Sequence, residues 1–160
     1  MIDTSKVKDR RAVRYATIQE LLTDIDRIVA SEKAGTLRRA GNWTAGQAFG
    51  HLATWINYAW EGYPIRPPWF VRLFIRLKKK SYLRDGMPAG VRIPGVEGGT
   101  KGTETLSLDE GTARLRKALQ RLESGEPATF DSPAWGKSSH AEQVQITLRH
   151  AELHLSFLHP

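Results

Sequence analysis

Thr44-Ala-Gly-Gln-Ala-Phe-Gly-His-Leu-Ala-Thr-Trp-Ile-Asn-Tyr-Ala-Trp-Glu-Gly62 decides how the rest of the chain is read. A threonine followed three residues later by Gln47 is a capping-box start, because each side chain can satisfy a backbone N–H that the other's position leaves unpaired. Ala48, Leu52, Trp55 and Ala59 then recur on one helical stripe until Gly62 and Pro64 end the pattern. The spacing predicts an amphipathic helix with His51 inside its apolar stripe, one turn from Gln47 and Trp55.

Three further segments carry the same grammar. Thr17-Ile-Gln-Glu20 opens a pattern of Ile18, Leu21, Leu22, Ile25, Ile28 and Val29 that stops near Gly35. Ser107-Leu-Asp-Glu110 opens one through Leu115, Ala118, Leu119 and Leu122, closed by Gly125 and Pro127. Ser139-His-Ala-Glu142 opens the last, through Val144, Leu148, Ala151, Leu155 and Leu158, which is expected to run almost to the end of the chain. No run of period-two alternation competes, so the fold class is all-α. Between the second and third patterns lie a short helix candidate from Pro68 to about Leu83 and a loop rich in glycine and proline. Four long helices with one long middle connection predict an antiparallel four-helix bundle with a crossover between its second and third helices and a short extra helix within it.

The 160 residues suffice for one hydrophobic core, and the whole chain, 1–160, is expected to be a single domain. There is no cysteine, which excludes disulfides, thiolate metal sites and a cysteine nucleophile. The N-terminus lacks the apolar core of a secretory signal and no stretch is apolar enough to span a bilayer, so a cytoplasmic location is expected. The formal net charge of +7 is local: Arg66, Arg72, Arg76, Lys78, Lys79, Lys80 and Arg84 fall in a segment with no acidic residue.

Residues four apart share a helix face, so His150 and His154 can offer their imidazoles to one ion, and His51 can meet them when the helices close. Three nitrogen ligands from two helices suit a divalent transition metal better than magnesium or calcium, and leave coordination positions open for water or substrate. The same spacing also suits hydrogen-bonded histidines of an ordinary core. Gln143 and Thr147 continue the polar edge of the last helix, and with Gln47, Trp55 and Tyr58 they are candidate pocket residues. Glu152, between the two histidines, points away, so no zinc-protease motif is formed. His140 and His159 are expected to be solvated. No phosphate loop, dinucleotide fingerprint or nucleophile elbow is present.

Val7–Arg14, the segment Gly41-Asn-Trp-Thr-Ala-Gly-Gln-Ala-Phe-Gly-His-Leu-Ala53 and the closing Arg149-His-Ala-Glu-Leu-His-Leu-Ser-Phe157 resemble the DUF1569 family of the DinB/YfiT-like superfamily. The resemblance implies a bundle whose metal, zinc or nickel foremost, is held by His51, His150 and His154. It also implies a metal-dependent enzyme, hydrolytic or thiol-transferring, acting on a small-molecule substrate, since the superfamily includes metal-dependent transferases and isomerases that use low-molecular-weight thiols such as mycothiol or bacillithiol. The other reading is a non-catalytic bundle that binds a ligand or partner around an empty site.

The basic segment carries Trp69, Phe70, Val71, Leu73, Phe74, Ile75 and Leu77 on a broad apolar arc, with Arg72, Arg76 and Lys79 on the remaining face. Such a helix can dock on its own bundle, cover a pocket, pair in a homodimer or lie on a membrane through residues 68–80. Nucleic-acid binding fits poorly, because the aromatics do not alternate with the basic residues. Trp43 and Trp135, beside helix starts, are expected to be staples and core plugs.

Overall fold

Hydroxyl caps set the start of four helices. The computed structural model describes residues 2–160 and contains α1 (Ile18–Lys33), α2 (Ala45–Glu61), α3 (Trp69–Asp85), α4 (Leu108–Glu123) and α5 (His140–Leu155). Thr17, Thr44, Ser107 and Ser139 each accept the backbone N–H three residues on at 3.2 Å. The reciprocal half of the box forms only at Gln47 and Glu142. Glu20 instead takes the Ala16 N–H, and Glu110 pairs with Arg114.

Several sequence expectations are corrected. The crossover helix is not short: α3 has 17 residues, as many as α2, and ends two residues beyond the expected Leu83, where Gly86 turns the chain at a positive φ. Pro68 is the cap of α3, in extended conformation, and not its first turn. The last helix stops at Leu155, after which Leu158–His159 (β2) pairs antiparallel with Arg38–Arg39 (β1). A two-residue ladder is too short to show any alternation in sequence. The pairing also fixes His159, whose ring nitrogens lie 2.8 Å from Arg38 Nη2 and 3.3 Å from the Asp9 carbonyl oxygen, so it is not simply solvated.

The core joins Leu21, Ile25 and Ile28 of α1 to Phe49 and Leu52 of α2, Leu115 and Leu119 of α4, and Leu148 and Leu155 of α5. α3 stays outside this cluster and lies against α5, where Lys79 Nζ meets Glu142 at 3.1 Å. Lys79 therefore faces inward, apart from the outer Arg72 and Arg76.

α2 and α4 make the most extensive helix pair. Their backbones abut, because a Cβ on Gly111 would stand 2.3 Å from the Gly46 carbonyl oxygen, and one on Gly46 would stand 2.5 Å from that of Leu106. Only hydrogen fits at either position. The chain entering α4 thus lies along α2, with Leu106 filling the notch at Gly50.

A polar network ties the N-terminal segment to α1 and α5. Arg11 makes a bidentate pair with Asp24 at 2.9 and 2.7 Å, and the Tyr15 hydroxyl donates to the same carboxylate at 2.6 Å. The Tyr15 N–H donates to Glu152 at 2.7 Å, and Arg149 donates to the Tyr15 carbonyl at 2.5 Å. Burial by itself would raise the Asp24 pKa, but the bonds from Arg11 and Tyr15 outweigh it and hold the carboxyl below its ordinary value of 3.8.

Two outcomes follow for stability. Gly111→Ala is expected to lower the free energy of urea unfolding by about 2 kcal/mol or more, since the new methyl must displace backbone. Asp24→Asn is expected to cost roughly 2 kcal/mol near neutral pH by leaving the partly buried Arg11 without its counter-charge. Because the folded pKa is depressed, the Asp24 contribution is complete above pH 3.8 and is lost as pH falls through the folded value. Wild-type and variant unfolding curves should therefore converge in acid.

Candidate metal centre

His51 is fixed from the side away from its neighbours. Its ring is 1% exposed, and its Nδ1–H donates to the Lys101 carbonyl at 2.9 Å. That bond leaves Nε2 as the lone-pair nitrogen and points it at α5. His150 Nε2 lies 3.2 Å from His51 Nε2, and His154 Nε2 lies 3.0 Å from His150 Nε2. All three ligand atoms fall within 4.8 Å of one another, so the residues α2 and α5 contribute form a group that could hold a metal ion.

The spacing can be tested against coordination chemistry. Two imidazole nitrogens each about 2.05 Å from a shared ion, at angles between octahedral and tetrahedral, stand roughly 2.9–3.3 Å apart. Two of the three pairs, at 3.0 and 3.2 Å, fall inside that window, and the third, His51 to His154, stays within the 4.8 Å that bounds the group. Protons alone satisfy the cluster less completely: with His51 Nε2 deprotonated, a single Nε2–H on His150 would have to serve the lone pairs of both neighbours. The nitrogen donors and two of their three spacings therefore fit a divalent transition ion.

Electrostatics keeps the three imidazoles neutral. Burial, opposed only in part by the Lys101 and Gly102 backbone, pushes His51 down to about 4. Burial and then the neighbouring imidazoles hold His150 and His154 well below the usual histidine range. Neutral imidazole is the form that ligates a metal.

The cluster stands in the wall of a cavity of about 800 Å³, within the range of small-molecule sites. Trp43 covers it: its ring stacks on His154 with centroids 5.0 Å apart and planes 15° apart, and tilts against His51 at 4.8 Å. The indole packs against the core as a staple would, and beyond that it walls the site. Trp55 lines the cavity and donates its Nε1–H to the same Lys101 carbonyl at 3.2 Å. Gln47 and Thr147 line it too, although the Gln47 carbonyl oxygen is occupied by its capping box.

Tyr58 and Gln143 lie elsewhere. The Tyr58 ring sits between Trp55 and Tyr63 off the cavity lining, and Gln143 borders a separate hollow of about 70 Å³ that Thr147 also touches. Trp135 borders both hollows and meets the Tyr82 edge at 5.8 Å.

Sequence reasoning missed the Lys101 carbonyl, since a main-chain acceptor in an irregular loop has no residue-type signature. Its nearest signal is Gly102, whose φ of +71° and close approach to Thr54 deliver that carbonyl to His51.

A helical protein with a three-histidine cluster facing a cavity is the class that the fold and the site define. The family described as protein of unknown function, DUF1569, matches residues 7–160, and the chain belongs to it. No curated protein and no solved structure shows significant similarity to the chain.

In nuclear magnetic resonance spectra the His51 Nδ1–H is expected to appear as a slowly exchanging imidazole proton. Gly102→Ala puts a Cβ 2.9 Å from Thr54 Cβ, which moves the Lys101 carbonyl, and the protected signal should be lost while the fold persists.

Proposed function

We propose that this chain is a metal-dependent enzyme in which His51, His150 and His154 hold one divalent transition ion, zinc or nickel, and a water or low-molecular-weight thiol is the activated nucleophile. The observation that carries the reading is the convergence of three neutral imidazole nitrogens at ligand spacing on a cavity of substrate size. An ion bound by three protein nitrogens supplies Lewis-acid chemistry, lowering the pKa of water or thiol so that an anionic nucleophile exists near neutral pH.

The chain's own residues prepare that site. The Lys101 carbonyl selects the His51 tautomer, as outer-shell acceptors do for metal-ligating histidines, and Trp43 holds the His154 ring plane. The indoles of Trp43 and Trp55 pack against the histidine rings as cavity wall, while Thr147 offers a hydroxyl within the same lining. The lining has one carboxylate, Asp3, and its oxygens are taken by Ser5 and Lys6. Among the described residues no free carboxylate base stands beside the histidines, so the cluster and any ion it held would have to generate the nucleophile.

The sharing of one core by α1, α2, α4 and α5, with α3 carried in the long connection, supports reading the arrangement as an antiparallel four-helix bundle of the DinB/YfiT-like type. That placement favours hydrolysis or thiol transfer as the reaction class.

Elemental analysis of protein purified without an affinity tag is expected to find close to one transition metal per chain, and His154→Ala should abolish it. Wild-type protein that stays metal-free after metal-replete growth, and binds neither zinc nor nickel on titration, would favour a non-catalytic ligand-binding role and overturn the reading.

A further inference from the structure

Helix α3 has two apolar faces, and the fold uses only one. Val71, Ile75 and Tyr82 turn inward onto the histidine cavity, and Leu83 is buried. Trp69, Phe70, Leu73, Phe74 and Leu77 turn outward and are 51–76% exposed. Eight large apolar side chains are exposed among the described residues, and these five gather on one helix. At about 100° per residue they occupy an arc of roughly 140°, a continuous stripe and not scattered surface residues. A stripe of this kind marks an interaction surface.

Charge indicates what covers it. Arg76 and Lys78 border the stripe on either side, Lys80 and Arg84 extend it toward the end of the helix, and no acidic residue lies between Arg66 and Arg84. Of the seven basic residues in that segment, only Lys79 and Arg84 form ion pairs among the described residues. A second copy docking through the same face would bring these unneutralised cations against themselves. Nucleic acid would meet the cations, but it would leave the aliphatic part of the stripe in water.

We propose that the outer face of α3 docks on an anionic membrane surface, the aromatic and aliphatic side chains entering the headgroup boundary while Arg72, Arg76, Lys78 and Lys80 contact acidic lipids. An apolar stripe rich in tryptophan, phenylalanine and leucine with basic flanks is the composition of helices that lie in the interface plane. No helix of the described residues is long and apolar enough to cross a membrane, so the contact is peripheral. Because Val71 and Ile75 on the opposite face line the cavity, docking sets one wall of the histidine cavity against the lipid surface. The inference does not depend on a metal being bound.

The test is vesicle flotation of the full chain with phosphatidylcholine, alone or mixed with phosphatidylserine. Wild-type protein is expected to float with the mixed vesicles only, and to release as salt is raised. Lys78→Glu with Lys80→Glu, and separately Phe74→Ser with Leu77→Ser, should each cut partitioning by about tenfold or more while leaving thermal unfolding unchanged. Lys8→Glu with Lys117→Glu, which makes the same charge change at exposed positions elsewhere, should retain binding. The proposal is overturned if wild-type protein ignores phosphatidylserine, or if the Lys8/Lys117 variant loses as much as the Lys78/Lys80 variant. It is equally overturned if light scattering shows a dimer that the α3 substitutions dissociate, which would assign the face to a second copy.

Discussion

The backbone-to-backbone approach of α2 to the chain entering α4 is the constraint on which the site depends. Gly46 and Gly50 open a notch on α2, and Leu106, Ser107 and Gly111 press into it at distances no side chain would allow. Glycine inside a helix costs about 1 kcal/mol of intrinsic propensity, so two of them one turn apart must be offset by packing. Once residues 102–107 are held along α2, the Lys101 carbonyl arrives at His51 Nδ1 and Trp55 Nε1 together. The geometry of the histidine cluster is thus a consequence of helix packing, propagated through a loop that has no regular structure of its own.

A second constraint acts on α5 from the other side. Glu152, on the face opposite the histidines, accepts the Tyr15 N–H and pairs with Arg149, and the N-terminal segment returns to Asp24 of α1 through Arg11. Buried ion pairs contribute little net stability but are costly to break, so they specify arrangement more than they strengthen it. Here they hold the rotation of α5, and with it the direction of His150 and His154. The short ladder between Arg38–Arg39 and Leu158–His159 ties down the end of the same helix.

α3 belongs to a different regime. It shares no residue with the main core cluster, and its docking relies on the Lys79 to Glu142 contact, on Leu83 and on its side of the cavity. The histidine cavity therefore has one wall made of the tightly packed core helices and another made of a helix with an exposed apolar stripe. The histidine cavity and the exposed apolar stripe are separated by the thickness of a single helix.

The helices and their starts were legible in the sequence because capping is local: a hydroxyl and the N–H three residues later meet whatever the rest of the chain does. All four hydroxyl caps form, and the apolar repeats of α1, α2, α4 and α5 supply the core. That His150 and His154 share a face follows from helical periodicity alone. The spacing of His51 to that pair, the carbonyl that fixes its tautomer, the Trp43 ring over His154, and the departure of Tyr58 and Gln143 from the cavity were decided only by tertiary structure. Each depends on contacts between residues far apart in the chain, where no periodicity constrains the distance. The outward turn of the aromatic face of α3 is of the same kind, since a helix apolar on two sides carries no local signal for which side the fold will bury.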